Sequence, residues 1–557
     1  MNINVKLLPP RVGNEKNRTM LFSIDTSEPP TVIFLYGVRN VGKTYSLRYV
    51  ADKIGAIYYD AKENLPTQED IKRLLSEAEG KPVIIDEFTY IQFANRILGE
   101  LGPKYLESFM ERFLKRVIEH RARVIITSSY SSDHITVLRS LIRYYAKDLK
   151  KPVSRIKTVQ PYRIYAIPRP FLQVYFYLYE NVRWMKGYYF GFAKHALPND
   201  VDLSGFKYSY VRPELYFKFF SRFDLEKLRK ALAVYFITGG MPVIKDVKDV
   251  DAFGSIYDDD YLHNARDALP MDDMKYIKTE IERIGRVDTD IKNFLMGKGD
   301  APPKEISEVA PLINTYLILP LRSSYSYSDI VEKMPIKNVD ALTGKISYVA
   351  IDPRVHHALY RSIVSDNPPE RPSEYLGAVA ESAVGITLLY LLGYTQPKIR
   401  NSIRPPIFRV KEKRGRKTLY NPDFIAFPKI DESVSKSLYT TFIVEVKRRK
   451  ELEAEYVEKY LRPLAYLGFA FGSYPILVMR SKDPFRRIPI KIDEDVPENI
   501  RALGLDKEKI METHLRSFKA LYDLPTSPYE IPCTRYVNIM SFEYFLSSAF
   551  PQRIEGV

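Results

Sequence analysis

Two sets of residues in this chain have the types and spacing to do chemistry. The first is Gly37-Val38-Arg39-Asn40-Val41-Gly42-Lys43-Thr44, a GxxxxGKT octapeptide. Glycines at this spacing let backbone N–H groups wrap a phosphate chain, the lysine reaches the outer phosphate oxygens, and the threonine hydroxyl can ligate Mg²⁺. Gly37, Asn40, Gly42, Lys43, Thr44 and Tyr45 are the candidate contacts, with ATP and Mg²⁺ as the expected cofactors. Asp86-Glu87 closes the apolar run Val83-Ile84-Ile85. Asp86 is placed to hold the same Mg²⁺ and Glu87 to polarise an attacking water. Ser128, at the end of Arg123–Thr127, can sense the terminal phosphate, although a strand-end turn also explains a serine there. Arg139, Arg143 and Arg169 are candidates for an arginine finger, and nothing in the sequence chooses among them.

The second set lies near the other end. Asn421-Pro422-Asp423 opens one strand-like run, and Glu445-Val446-Lys447 ends another. Asp423, Glu445 and the carbonyl of Val446 can together hold Mg²⁺. A bound metal lowers the pKa of its water, which Lys447 would orient or deprotonate. Glu381 sits within the apolar stretch 375–394. A carboxylate there is costly unless paired or metal-bound, which makes Glu381 a third candidate ligand. An exposed position beside Ser382 is the alternative.

The elements that must position these residues can be read from pattern. Residues 31–36 (TVIFLY) form an apolar, β-rich run before the octapeptide, with a helix expected through 45–54. One further strand (56–61) and a helix-like piece (66–79) separate it from Asp86. In the second set, Glu445 and Lys447 are two apart in one strand and face the same side. A helix over 451–467 and a strand over 475–479 follow.

The chain has 557 residues, 84 Lys+Arg against 69 Asp+Glu, a formal charge of +15 and a single cysteine. One cysteine excludes a disulfide framework and any multi-cysteine metal site. No secretory leader and no membrane-length apolar stretch is evident, so a cytoplasmic location without membrane partners is expected. Few glutamines and one cysteine fit a source living hot. The basic excess is localised. Residues 101–250 hold 27 Lys+Arg against 13 Asp+Glu (+14), residues 401–450 hold 13 against 5 (+8), and residues 251–300 hold 7 against 12 (−5). Clustered basic charge suits a phosphate backbone, so DNA is the expected partner, whether duplex, branched or single-stranded. Between 161 and 220, 19 of 60 residues are Phe, Tyr or Trp, interleaved with Arg and Lys. Such rings can stack on bases or make the core of a helical subdomain.

Gly37–Thr44, Ile85–Glu87, the strand ending Thr127-Ser128-Ser129 and the later Thr238-Gly239-Gly240-Met241-Pro242 resemble AAA-type ATPases of the archaeal-ATPase group, found in archaea and bacteria. Many of these carry a C-terminal PD-(D/E)xK nuclease-like domain. The resemblance implies a multidomain α/β chain: a AAA+-type P-loop ATPase core (1–150), a helical lid enlarged by the aromatic basic segment (151–250), a winged-helix-like region (251–370) and a restriction-endonuclease-like α/β domain (371–557). The Gly-Arg pair common after sensor 1 in that group is absent. The implied activity is ATP hydrolysis coupled to Mg²⁺-dependent DNA cleavage by Glu381, Asp423, Glu445 and Lys447. The alternatives are a nucleotide-switched regulatory or defence NTPase, and a non-cleaving DNA-remodelling ATPase whose nuclease-like domain only binds. Assembly into a homo-oligomer is left open.

Overall fold

A computed structural model of the chain describes residues 31–36, most of 43–88, parts of 113–128, 162–165, 171–179, 224–240, parts of 277–295, most of 317–357, 372–391, most of 407–427, most of 441–522 and 534–547. The N-terminal part is a five-stranded sheet in the order β2-β3-β4-β1-β5. Its strands are β1 (Thr31–Tyr36), β2 (Ile57–Asp60), β3 (Val83–Asp86), β4 (Arg123–Ser128) and β5 (Tyr162–Tyr165), all paired in parallel. Strands buried on both faces read as continuous apolar runs. Val83, Ile84 and Ile85 accordingly have no exposed surface, and each contributes about 1.5–3 kcal/mol of burial. Helices α1 (Lys43–Ile54) and α2 (Gln68–Glu77) bury Leu47 and Ala51, and Leu75, at helical spacing. In space it is β4 that separates β1 from β3. The strand that lies between the two motifs in the sequence, β2, takes the outer edge.

Two helices continue from this sheet. Helix α3 (Phe171–Tyr179) buries Phe171, Val174 and Tyr175. Helix α4 (Leu225–Thr238) starts at Asp224, whose carboxylate accepts the backbone N–H groups of Glu226 and Lys227 at 2.9 and 3.2 Å, a favourable N-cap. The rings of Phe171 and Tyr235 lie 5.7 Å apart, and Lys227 sits 5.6 Å above Tyr179. For Phe171 and Tyr175 the core reading of the aromatic segment therefore holds.

The C-terminal part is an eight-stranded mixed sheet in the order β14-β15-β13-β12-β11-β8-β6-β7. Its strands are β6 (Ile318–Ser323), β7 (Lys345–Ala350), β8 (Ile407–Phe408), β11 (Phe424–Ala426), β12 (Phe442–Lys447), β13 (Tyr474–Met479), β14 (Phe485–Lys491) and β15 (Thr534–Ser541). A small ribbon, β9 (Lys413–Arg414) with β10 (Lys417–Thr418), stands apart from it. The hairpin β6–β7, expected in a separate winged-helix-like region, extends this sheet through the pairing of Arg322 with Phe408. Around the sheet pack α5 (Pro372–Leu391), α6 (Arg462–Ala470), α7 (Lys507–Tyr522) and α8 (Phe542–Leu546). Helix α6 approaches β13 so closely that a Cβ on Gly468 would stand 2.8 Å from Pro475. Helix α5 is apolar on nearly all sides because it is buried on nearly all sides. No described helix is long and apolar enough to cross a membrane.

Helix α4 is docked onto this second sheet at both ends. Near its start, Arg229 pairs with the fully buried Glu543 at 2.9 Å and donates to the carbonyl of Lys482 at 2.7 Å. At its end, Gly239 adopts φ +63, and the N–H of Gly240 donates to Asp352 at 2.8 Å. The other oxygen of Asp352 accepts the N–H of Arg354 at 2.8 Å. The segment after Asp352 then holds α5, because the His356 ring lies 2.9 Å from Ser382 and 3.0 Å from the carbonyl of Leu295.

Two measurements test these junctions. A Cβ on Gly239 would fall 1.7 Å from Asp352, on top of a positive-φ cost of roughly 1 kcal/mol. Gly239→Ala is therefore expected to lower the melting temperature, and to lower it much less on an Asp352→Ala background. Simple addition of the two losses would contradict the contact. Burial holds the His356 pKa down at about 4, from an ordinary 6.5. Between those values the unfolded chain binds a proton that the folded chain does not. Stability should fall as pH drops through that window, by up to about 1.4 kcal/mol per unit. Denaturant titrations across it should show a shallower pH dependence for His356→Asn than for the natural chain.

Candidate functional site

The nucleotide end is built at the carboxyl edge of the parallel sheet, where such sheets bind ligands. Strand β1 runs directly into the octapeptide, and α1 begins at Lys43, which is buried, and Thr44, half-buried. Gly37, Asn40 and Gly42 lie outside the described residues, as do Ser129, Arg139, Arg143 and Arg169. Tyr45 belongs to α1 and Ser128 to β4, but their side chains also lie outside them.

Asp86 ends β3 with no exposed surface. Its Oδ1 accepts the Thr127 hydroxyl, in a very short hydrogen bond, and the Glu87 N–H at 3.0 Å. Its Oδ2 accepts the Tyr58 hydroxyl at 2.6 Å. The Glu87 N–H is shared with Thr127 Oγ1 at 2.9 Å. Glu87 itself adopts φ +50. That conformation is uncommon outside glycine, and strain of this kind gathers at functional sites.

Thr127 therefore reaches the acid. The register pairs Ile85 with Ile126, which sets Asp86 beside Thr127. Neither Thr127 nor Tyr58 was singled out from sequence. Strand parity would have found Thr127 once the β3–β4 pairing was known. The donors at this end, a carboxylate and the Thr44 hydroxyl, are all oxygen and suit a hard cation such as Mg²⁺. Three donors on Asp86 use most of the roughly four lone-pair sites of a carboxylate and leave room for about one more contact.

The second set converges differently. Phe424 pairs with Val444, so Asp423 and Glu445 come together across β11 and β12. The Val446 N–H donates to Asp423 at 2.7 Å. Lys447 forms a very close ion pair with Glu445 and stands 3.8 Å from Asp423. Its ammonium also lies 5.0 Å above the ring of Tyr460, in a π-helical turn (Val457–Leu461) that precedes α6. Burial pushes the Glu445 carboxyl up to about 7, opposed by Lys447 and aided by Asp423 and Glu381. Burial alone would pull Lys447 down, but Glu445 and Asp423 outweigh it and hold it well above its ordinary range.

Glu381 is not the exposed residue of the alternative reading, being half-buried. Its carboxylate takes the guanidinium of Arg409 at 2.5 Å. Arg409 is only 2% exposed, lies 5.4 Å from the ring of Phe424 and donates to the carbonyl of Tyr348 at 3.3 Å. Sequence reading missed Arg409, which no motif marks. Among the described residues, no group of three or more His, Cys, Asp or Glu stands ready to hold a metal ion. Of the expected set, Asp423 accepts the Val446 N–H, Glu445 pairs with Lys447 and Glu381 pairs with Arg409.

Comparison with known proteins bears on the first site. No curated protein matches the chain. Among solved structures the chain is similar to the Walker-type ATPase paby2304 of Pyrococcus abyssi, at 14% identity over 59% of this chain and 90% of that one, with a TM-score of 0.29. Residues 29–150 match the family model of the AAA domain, a span that holds β1 through β4 with Lys43, Thr44, Asp86 and Glu87. These residues form a AAA-type P-loop ATPase domain.

Proposed function

We propose that this chain couples ATP hydrolysis in its AAA-type domain to the handling of DNA by its C-terminal sheet. One observation carries the coupling: α4 packs on α3 and is tied to the second sheet at Arg229–Glu543 and at Gly240–Asp352. A change in the lid helix that follows the nucleotide state would be passed to the C-terminal part through those two contacts. The DNA assignment draws on charge, since the excess of +14 falls in residues 101–250, which include α3 and α4, and that of +8 in residues 401–450, which include strands of the C-terminal sheet.

In this reading the C-terminal part binds DNA and leaves its strands intact. A second reading, cleavage, is favoured by the convergence of Asp423, Glu445 and Lys447 on one strand end. It would require Glu381 and Glu445 to give up Arg409 and Lys447.

Three measurements test the proposal, and the second separates its two readings. Lys43→Ala is expected to abolish ATP hydrolysis while leaving DNA binding, followed by fluorescence anisotropy over a salt series, in place. Duplex, single-stranded and branched DNA incubated with Mg²⁺, with and without ATP, at moderate and high temperature, should remain intact. Nicking that Asp423→Ala removes would instead establish the cleaving enzyme. Arg229→Met should keep the basal ATPase rate and lose most of any DNA stimulation, because allosteric coupling of about 1–3 kcal/mol corresponds to roughly 5–150-fold. Stimulation undiminished in that variant would rule out α4 as the link.

A further inference from the structure

We infer that Tyr58 is a positioning residue for the metal–nucleotide complex, working through Asp86; the inference rests on the ATPase reading of residues 29–150. Tyr58 lies on β2, the outer strand of the sheet, and reaches inward across β3 to place its hydroxyl 2.6 Å from Asp86 Oδ2. Asp86 and Ile84 share one face of β3, and Ile84 is the register partner of Tyr58, so the ring leans along the sheet towards its carboxyl edge.

The hydroxyl has a defined polarity. Arg48 Nε donates to it at 3.4 Å, so its own proton is directed to Asp86. Arg48 is in turn fixed by Asp60 at 3.0 Å, and its guanidinium lies 5.4 Å from the Tyr58 ring. Arg48 stands one helical turn beyond Thr44 on α1. The relay Arg48, Tyr58, Asp86 therefore joins the helix that presents Lys43 and Thr44 to the acid at the end of β3. The opposite oxygen of Asp86 is held by Thr127 and by the Glu87 N–H. With both oxygens held, the carboxylate is locked in one rotation. Without the Tyr58 hydroxyl, one of its two restraints is gone.

Carboxylates that serve metal ions depend on such partners, and losing one typically costs 10–100-fold in metal affinity or activity. Tyr58→Phe keeps the ring and removes only the hydroxyl. The test is Mn²⁺ binding, read by electron paramagnetic resonance, to the full chain with a non-hydrolysable ATP analogue. Tyr58→Phe is expected to weaken Mn²⁺ about tenfold and to shift the Mg²⁺ dependence of ATP hydrolysis by the same factor. The affinity for the analogue in EDTA should stay as in the natural chain. Arg48→Met should shift Mn²⁺ binding in the same direction by a smaller factor. Unchanged Mn²⁺ affinity in Tyr58→Phe, or a loss matched by an equal loss of analogue affinity in EDTA, would overturn the proposal and leave the ATPase reading standing. A natural chain that binds no nucleotide, equal to Lys43→Ala, would overturn both.

Discussion

The carboxylate of Asp352 ties the end of α4 to the C-terminal sheet. One oxygen accepts the backbone N–H of Gly240 and the other that of Arg354, both at 2.8 Å. Charged acceptors make the stronger class of hydrogen bond, worth about 1.5–3 kcal/mol each. The same carboxylate occupies the space where any side chain on Gly239 would stand. That contact stops α4, sets its direction, and fastens it to the segment that carries His356 beneath α5. The position of α5, which carries Glu381, and the end of α4 thus both trace to one residue.

The two sites illustrate opposite uses of buried charge. Around Asp86 the partners are neutral hydroxyls and an amide, which orient a carboxylate without cancelling it. Around Glu445 and Glu381 the partners are cations, Lys447 and Arg409. Ion pairs of low exposure recover their desolvation cost only with good geometry and further hydrogen bonds. Arg409 adds a hydrogen bond to the Tyr348 carbonyl and lies beside the Phe424 ring.

Much of the fold was legible in the sequence because its signals are local. Six apolar residues before GxxxxGKT describe a buried strand, a phosphate loop and a helix within one short span, and β1 and α1 lie where that pattern places them. The strands bearing Asp423 and Glu445 were readable for the same reason. What could not be read depends on pairing. The contact of Thr127 with Asp86 turns on a register in which Ile85 meets Ile126. The reach of Tyr58 to Asp86 depends on which strand takes the edge. The fate of Glu381 depends on Arg409, and that of the 318–350 hairpin on a single bridge to Phe408. None of these partners is near in sequence, so no periodicity announces them.

The π-helical turn at Val457–Leu461 has a further implication. Such a turn accommodates one extra residue within an otherwise regular helix. That residue changes the phase of everything on one side of it by about 100° relative to the other. Here α6, downstream, is locked by the close approach of Gly468 to Pro475, while Tyr460 sits beneath Lys447. The widened turn therefore sets the phase between the two contacts, so that a helix anchored for packing at one end presents an aromatic face to a lysine at the other.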